Sequence, residues 1–208
     1  LVSGRPQDGG YALYTVVPDG KPSLNKASPV GKTLIVYGGS SSVGSVVTQV
    51  ATAADIHVIA IVGKHNFDLS KRSGAGKVFD YKDTNIVNNV VEAVKRSSSE
   101  FIGIFDAIAT AEPYAIDLAI LEKLGGGHLA CSLPPPNEVL GNVQTGIIFA
   151  VNDIATPVWK DYVTPALEAD KPLCLPPPTV VGRDLKFVQE ALKKSSAGVS
   201  GTKLVVEL

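Results

Sequence analysis

Between residues 33 and 133 the chain alternates short apolar runs with stretches of helical periodicity. TLIVYG (33–38), HVIAIV (57–62), KVFDY (77–81), IGIFDAIA (102–109) and HLACSL (128–133) predict strands. Between them lie the small, apolar helix SVGSVVTQVATAAD (42–55) and the short helix NFDLSKRSG (66–74), which ends on glycine. NIVNNVVEAVKRS (85–97) sets Ile86, Val87, Val90, Val91 and Val94 along one helical face, and YAIDLAILEKLGGG (114–127) predicts a helix stopped by glycine. Strand and helix in strict turn predict an α/β fold: a Rossmann-type, doubly wound, mostly parallel sheet with helices on both faces and right-handed crossovers.

The pattern loosens on either side. Upstream, YALYTVV (11–17) predicts a short strand, and PDGKPSLNKASPVGK (18–32) a connector rich in turn formers. Downstream, PPPNEVLGN (134–142) predicts a loop, GIIFAV (146–151) a strand and TPVWKDYVTPALEAD (156–170) a proline-interrupted helix. DLKFVQEALKKSSAG (184–198) predicts an amphipathic helix with basic residues at its C-terminal end, and KLVVEL (203–208) a last strand. SLPPP (132–136) and CLPPP (174–178) read as loop punctuation rather than a repeat. The expected organisation is a segment ending in a connector over 1–30, and one α/β domain over 31–208.

Composition narrows the function classes. With 208 residues, 45% hydrophobic and 19% charged, the chain suits one domain with a substantial core. A net charge of −1 gives no electrostatic case for nucleic acid, and no apolar run has the length of a membrane span. Cys131 and Cys174 make no disulfide framework and read as reduced core thiols of a cytoplasmic protein. His57, His65 and His128 do not sit at zinc spacing with them, so no metal is expected. The chain has no methionine and starts at Leu1, which suggests a processed, truncated or incompletely represented protein; residues 1–10 show no secretion signal.

The candidate chemistry lies in LIVYGGSSSVG (34–44). A serine-nucleophile elbow needs Gly-x-Ser-x-Gly, and Gly38-Gly39-Ser40 is followed by Ser41 and Ser42 instead. A P-loop ending at Gly31-Lys32-Thr33 would put its first glycine at Lys26, and that tripeptide precedes the strand. Two readings remain. One is a turn with an N-cap serine. The other is a dinucleotide loop, favoured by the strand–loop–helix context: Gly38 for the tight turn, Gly44 for close helix–strand packing, Ser40, Ser41 and Ser42 as hydroxyl donors. The second strand ends IVGKHNF (61–67), with Lys64 and His65 where an NAD site carries a carboxylate. A 2′-phosphate would favour those donors, so NADPH is preferred over NADH; a solvated basic turn is the plainer alternative. Asp106, at the end of the fourth strand, reads as a structural group rather than a catalyst, and no proton donor is assigned: the catalytic residues stay unknown.

GKTLIVYGGSSSVGSVVTQVA, NFDLSKRSGAGKVFDYKD, FDAIATAE, LEKLGGGHLACSLP and AGVSGTKLVVEL together resemble the zinc-independent medium-chain dehydrogenase/reductases, in the fungal enoyl-reductase and quinone-oxidoreductase-like branch. The likeness runs over most of residues 31–208 and is weakest over 134–182. It implies NADPH held at its pyrophosphate by Ser40, Ser41, Ser42 and Val43, with Gly63, Lys64, His65, Asn66 and Tyr81 around the adenosine phosphate. It places Leu133 near the nicotinamide side and Val199 and Ser200 over the cofactor. From the residues alone, Tyr81 reads rather as an aromatic packed at a strand edge. The resemblance makes GIIFAV either a homodimer seam or an ordinary internal strand. The chemistry implied is hydride transfer from NADPH to a polarised double bond, an enoyl thioester or a quinone. Such relatives carry an N-terminal catalytic domain, of which only RPQDGGYALYTVVPDG (5–20) resembles the end. The alternatives are therefore a shortened enzyme, a cofactor-binding remnant serving as a dimer or interaction module, and a nucleotide sensor.

Overall fold

The structure is a computed structural model that describes residues 31–139, 141–148, 158–169 and 175–208. Each predicted strand of the alternating region is present: β1 (Lys32–Tyr37), β2 (His57–Val62), β3 (Lys77–Asp80), β4 (Glu100–Asp106) and β5 (Gly127–Cys131). They are linked by α1 (Ser42–Ala53), α2 (Phe67–Arg72), α3 (Ile86–Lys95) and α4 (Ala111–Leu124). With β6 (Val143–Ile147) they build one parallel sheet in the order β3-β2-β1-β4-β5-β6. That is the doubly wound Rossmann order, with its topological switch between β1 and β4.

Alternation along the strands explains the two cores. Leu34 and Val36 of β1, with Val58, Ala60 and Val62 of β2, face α1 and Val158, Tyr162 and Ala166. Ile35 and Tyr37, with Ile59 and Ile61, face Val90, Val91 and Val94 of α3 and Ile120 and Leu121 of α4. Successive side chains point to opposite faces of a strand, so a strand covered on both faces must be apolar throughout.

Several boundaries differ from the sequence expectation. β4 stops at Asp106 because Ala109 is left-handed, at φ +56°. α4 starts at Ala111 and contains Pro113 in its first turn, where no intrahelical partner awaits the missing amide. It ends at Leu124, capped by left-handed Gly125. β6 begins at Val143, because its register with Gly127–Cys131 of β5 is set by pairing rather than by the more apolar stretch that follows. Residues 159–163 form a π-helical turn that leads into α5 (Thr164–Glu168).

The last strand finds a partner that the sequence did not announce. β7 (Pro178–Arg183) pairs in parallel with β8 (Lys203–Glu207) in a separate two-stranded sheet, linked by α6 (Val188–Ser196). Pro178 opens β7, a strand position that needs no ladder donor. The expectations for 1–30, Cys174, residues 149–151 of GIIFAV and the flanks of the 156–170 helix lie outside the described residues.

Candidate functional site

β1 delivers the chain to a tight turn. Gly38 sits at φ +72°, and a Cβ there would come within 2.6 Å of Ile108 Cγ1. The Ser41 amide donates to the Gly38 carbonyl at 2.8 Å, closing the turn. Ser41 is extended and caps α1, its Oγ accepting from the Gly44 amide at 3.0 Å. A Cβ on Gly44 would overlap the Gly38 carbonyl oxygen, so the first turn of α1 lies directly on the strand end. The capping reading and the close-packing reading of this loop thus describe the same geometry. Capping takes up the Gly44 amide and leaves the Ser42 and Val43 amides as helix-start donors. The Ser41 hydroxyl accepts through oxygen, so its proton remains available.

A cavity of about 290 Å³ opens beside this junction, in the crevice at the C-terminal ends of β1, β2 and β4. Of the residues expected there, Gly38, Ser40, Ser41, Gly63, Asn66, Tyr81, Val199 and Ser200 line it. Ser42, Val43 and Gly44 continue into α1 beside the cavity, with Ser42 and Val43 exposed. Lys64 and His65 are exposed on a 3₁₀ turn, Lys64–Asn66, that follows β2. Leu133, two residues past β5, is exposed and does not line the cavity.

Long-range contacts close the rim of the cavity beyond β2. His65 Nε2 lies 2.9 Å from Ser200 Oγ, and Asn66 Nδ2 donates to the same oxygen at 2.7 Å. Gly201 follows so closely that a Cβ there would overlap Asn66 Oδ1. Residues 134 positions apart in sequence therefore form one clasp. The Lys82 ammonium stands 5.8 Å from the centre of the Tyr81 ring and adds a cation on this side.

The opposite wall is Ile108, Thr110, Glu112 and Pro113, from the β4–α4 connection. Sequence reasoning stopped at Asp106 and missed this wall and Lys82. The strand order could have indicated the wall, because ligands in such sheets sit where β1 and its out-of-order neighbour diverge. Tyr37 forms part of the floor; burial first, then Asp117, Glu112 and Asp106, push its phenol well up. Tyr114 is also raised, chiefly by burial, and donates to the Pro134 carbonyl at 2.7 Å. Cys131 is free and buried, its thiol pushed up to about 12 by burial. Among the described residues no cluster of His, Cys, Asp and Glu is placed to hold a metal, and no helix is long and apolar enough to cross a membrane.

No family model matches the chain. It is 54% identical to dehydrogenase orsE of Emericella nidulans over 257 aligned positions, which take in 100% of this chain and 74% of the relative. That alignment is longer than the 208 residues of the chain, so it includes positions that this chain lacks. Trans-enoyl reductase himH of Aspergillus japonicus is 30% identical, over 95% of this chain and 58% of the relative. Among solved structures, a mycobacterial quinone oxidoreductase superposes with a TM-score of 0.64 at 22% identity, covering 97% of this chain and 62% of that one. CurA of Vibrio vulnificus, solved in complex with NADPH, gives 0.61 at 17% identity, over 98% and 62%. These two structures share the fold, and the chain spans about three fifths of the length of each. The identity to a fungal dehydrogenase, carried on a sheet in the Rossmann order, shows that the chain belongs to the medium-chain dehydrogenase/reductases, in the branch of fungal dehydrogenases, enoyl reductases and quinone oxidoreductases.

Proposed function

We propose that the cleft binds NADPH and serves an oxidoreductase, independent of zinc, that passes a hydride to an activated double bond in an enoyl thioester or a quinone. The observation that carries this reading is the β1–α1 junction. The Ser42 and Val43 amides at the start of a twelve-residue helix, with the hydroxyls of Ser40 to Ser42, stand beside an open crevice with room for an anion. A pyrophosphate fits such a donor set, because the helix start offers both unpaired N–H groups and partial positive charge.

Selection between cofactors falls to the rim after β2. No carboxylate follows β2 until Asp68, which is exposed on α2, so the ribose diol of NADH lacks its usual acceptor. Lys64, His65, Asn66 and Lys82 supply donors and charge for a 2′-phosphate, Tyr81 a ring for the adenosine. Val199 and Ser200 close the rim, and Leu133 flanks the nicotinamide end. NADPH, when bound, supplies the hydride; the chain binds it, orients it and excludes water. Tyr37 and Tyr114 are poor proton donors here, since both phenols are raised and Tyr114 already donates to Pro134. The reading leaves zinc out because, among the described residues, no His, Cys, Asp and Glu side chains are grouped to hold it. The names of the fungal relatives support the reaction class.

The test is a titration followed by nucleotide fluorescence, then turnover with an enoyl thioester and with a quinone. NADPH should bind more tightly than NADH. Joint replacement Lys64→Ala and His65→Ala should weaken NADPH by about 10–100-fold, the equivalent of one or two charge-assisted hydrogen bonds, and NADH far less. Equal losses for both nucleotides would remove the 2′-phosphate assignment. Binding without turnover would favour a cofactor-binding module over an enzyme.

A further inference from the structure

Behind the cleft, two carboxyl groups are buried together. Asp106 ends β4 and Asp117 lies midway along α4, and neither is exposed at all. Asp106 Oδ1 accepts the amide protons of Ile108 at 2.8 Å and Ala109 at 2.9 Å. Asp106 Oδ2 and both Asp117 oxygens are buried without a hydrogen-bond partner, on a strand and a helix that pack directly on each other, and each carboxyl acts on the other. Two carboxylates so placed offer four acceptors and no donor, and burying both charges would be costly. One proton between them removes a charge and supplies the missing donor.

Among the described residues no cation acts on either carboxyl to hold both charges. β1 contributes Tyr37, β5 contributes Cys131, and α4 itself contributes Tyr114, with Glu112 beside Tyr37. The face that α3 turns towards α4 is apolar: Val90, Val91 and Val94. Burial first, and the Asp106 charge second, raise Asp117 well above the usual carboxyl range. Asp106 is raised by burial, with the Ala109 and Ile108 amides acting the other way. The two amides that donate to Asp106 favour the charge there, which leaves the shared proton to Asp117, a carboxyl with no donor of its own.

What this charge holds is the cleft wall. Ile108 packs over Gly38 and, with Thr110, lines the crevice. Ala109 keeps a left-handed backbone that a residue with a side chain adopts only when its surroundings enforce it. We propose that Asp106 and Asp117 share one proton and act as positioning residues that hold the 107–110 wall of the cleft. Only the consequence for NADPH rests on the function proposed above.

The sign with pH follows. The folded chain keeps the Asp117 proton where the unfolded chain has lost it. The pair's contribution is full below the ordinary carboxyl value of 3.8 and is lost as pH rises through the raised folded value. Amide exchange at Ile108 and Ala109, corrected for intrinsic rates, is measured across pH in the native chain, Asp117→Asn and Asp117→Ala, alongside NADPH affinity. Asparagine donates to Asp106 at every pH, so D117N should hold protection flat where the native chain loses about tenfold, the equivalent of about 1.4 kcal/mol for one hydrogen bond. D117A should lack that protection throughout. NADPH affinity of the native chain should fall at high pH relative to D117N; titrations elsewhere are common to both. Parallel pH profiles in the native chain and D117N would overturn the proposal. So would a carbon-detected NMR titration of the native chain in which Asp117 loses its proton in the ordinary carboxyl range, a measurement that needs no variant to fold. If NADPH fails to bind but the exchange contrast stands, the cleft reading fails and the pair survives; the reverse outcome sinks the pair alone.

Discussion

Gly44 has no room for a side chain, and the reason is the Gly38 carbonyl beneath it. Gly44→Ala must push α1 off the strand end. An overpacking cost of about 1–3 kcal/mol is expected in denaturant unfolding, together with loss of NADPH binding, since the Ser42 and Val43 amides move with the helix. Ser41→Ala removes the cap on Gly44 but leaves the backbone in place. It should cost about 1 kcal/mol by the same measurement, with Ser41→Gly costing only a few tenths. A spacing of glycines and serines suggested both roles; that Ser41 caps through oxygen while its proton stays free became visible only in three dimensions.

Elements were legible where local pattern and burial agree. β1 and β2 announce themselves because both faces of the sheet are covered there and nearly every position is apolar, and the buried ends of β4 and β5 share that pattern; β3, the half-exposed edge strand, shows it only at Val78 and Phe79. Ile104, fully buried at the middle of β4, illustrates the energetics: Ile104→Ala should cost about 2–5 kcal/mol in urea unfolding. Elements misjudged in extent are those whose limits depend on partners. α4 extends through Pro113 because a first turn tolerates it, and β7 hides among prolines because only pairing with β8 makes Pro178–Arg183 a strand. The clasp is of the same kind. Nothing local to His65 or Asn66 points to Ser200, yet Ser200→Ala removes the shared oxygen and should speed NADPH release in stopped-flow measurements, leaving the association rate near its original value.

Across the whole molecule, two titrations, one at half-buried His57 and one at buried Asp117, oppose each other. Burial, then the Lys77 charge, lower His57 at the start of β2. Its contribution is present above the unfolded value of 6.5 and lost as pH falls through the lower folded value. Unfolding free energy measured downward from pH 6.5 should therefore fall more steeply in the native chain than in His57→Gln; the Asp117 proton acts in the other direction, towards high pH. Cofactor linkage adds a global readout. At a hundred times Kd, NADPH should stabilise the fold by about 2.7 kcal/mol and raise the thermal midpoint by about 5–10 °C. The layered α/β plan and the position of the glycine–serine loop at a strand end follow from the sequence, because apolar periodicity and turn chemistry are local properties of the chain; the family came from the likeness of its motifs to known enzymes. Only packing in three dimensions fixes which strands are neighbours, which loop faces Gly38, that Ser200 closes on His65 and Asn66, and that two aspartates eleven positions apart come together with no cation acting on them among the described residues. Those facts depend on pairing and burial between distant segments, and no local pattern encodes them.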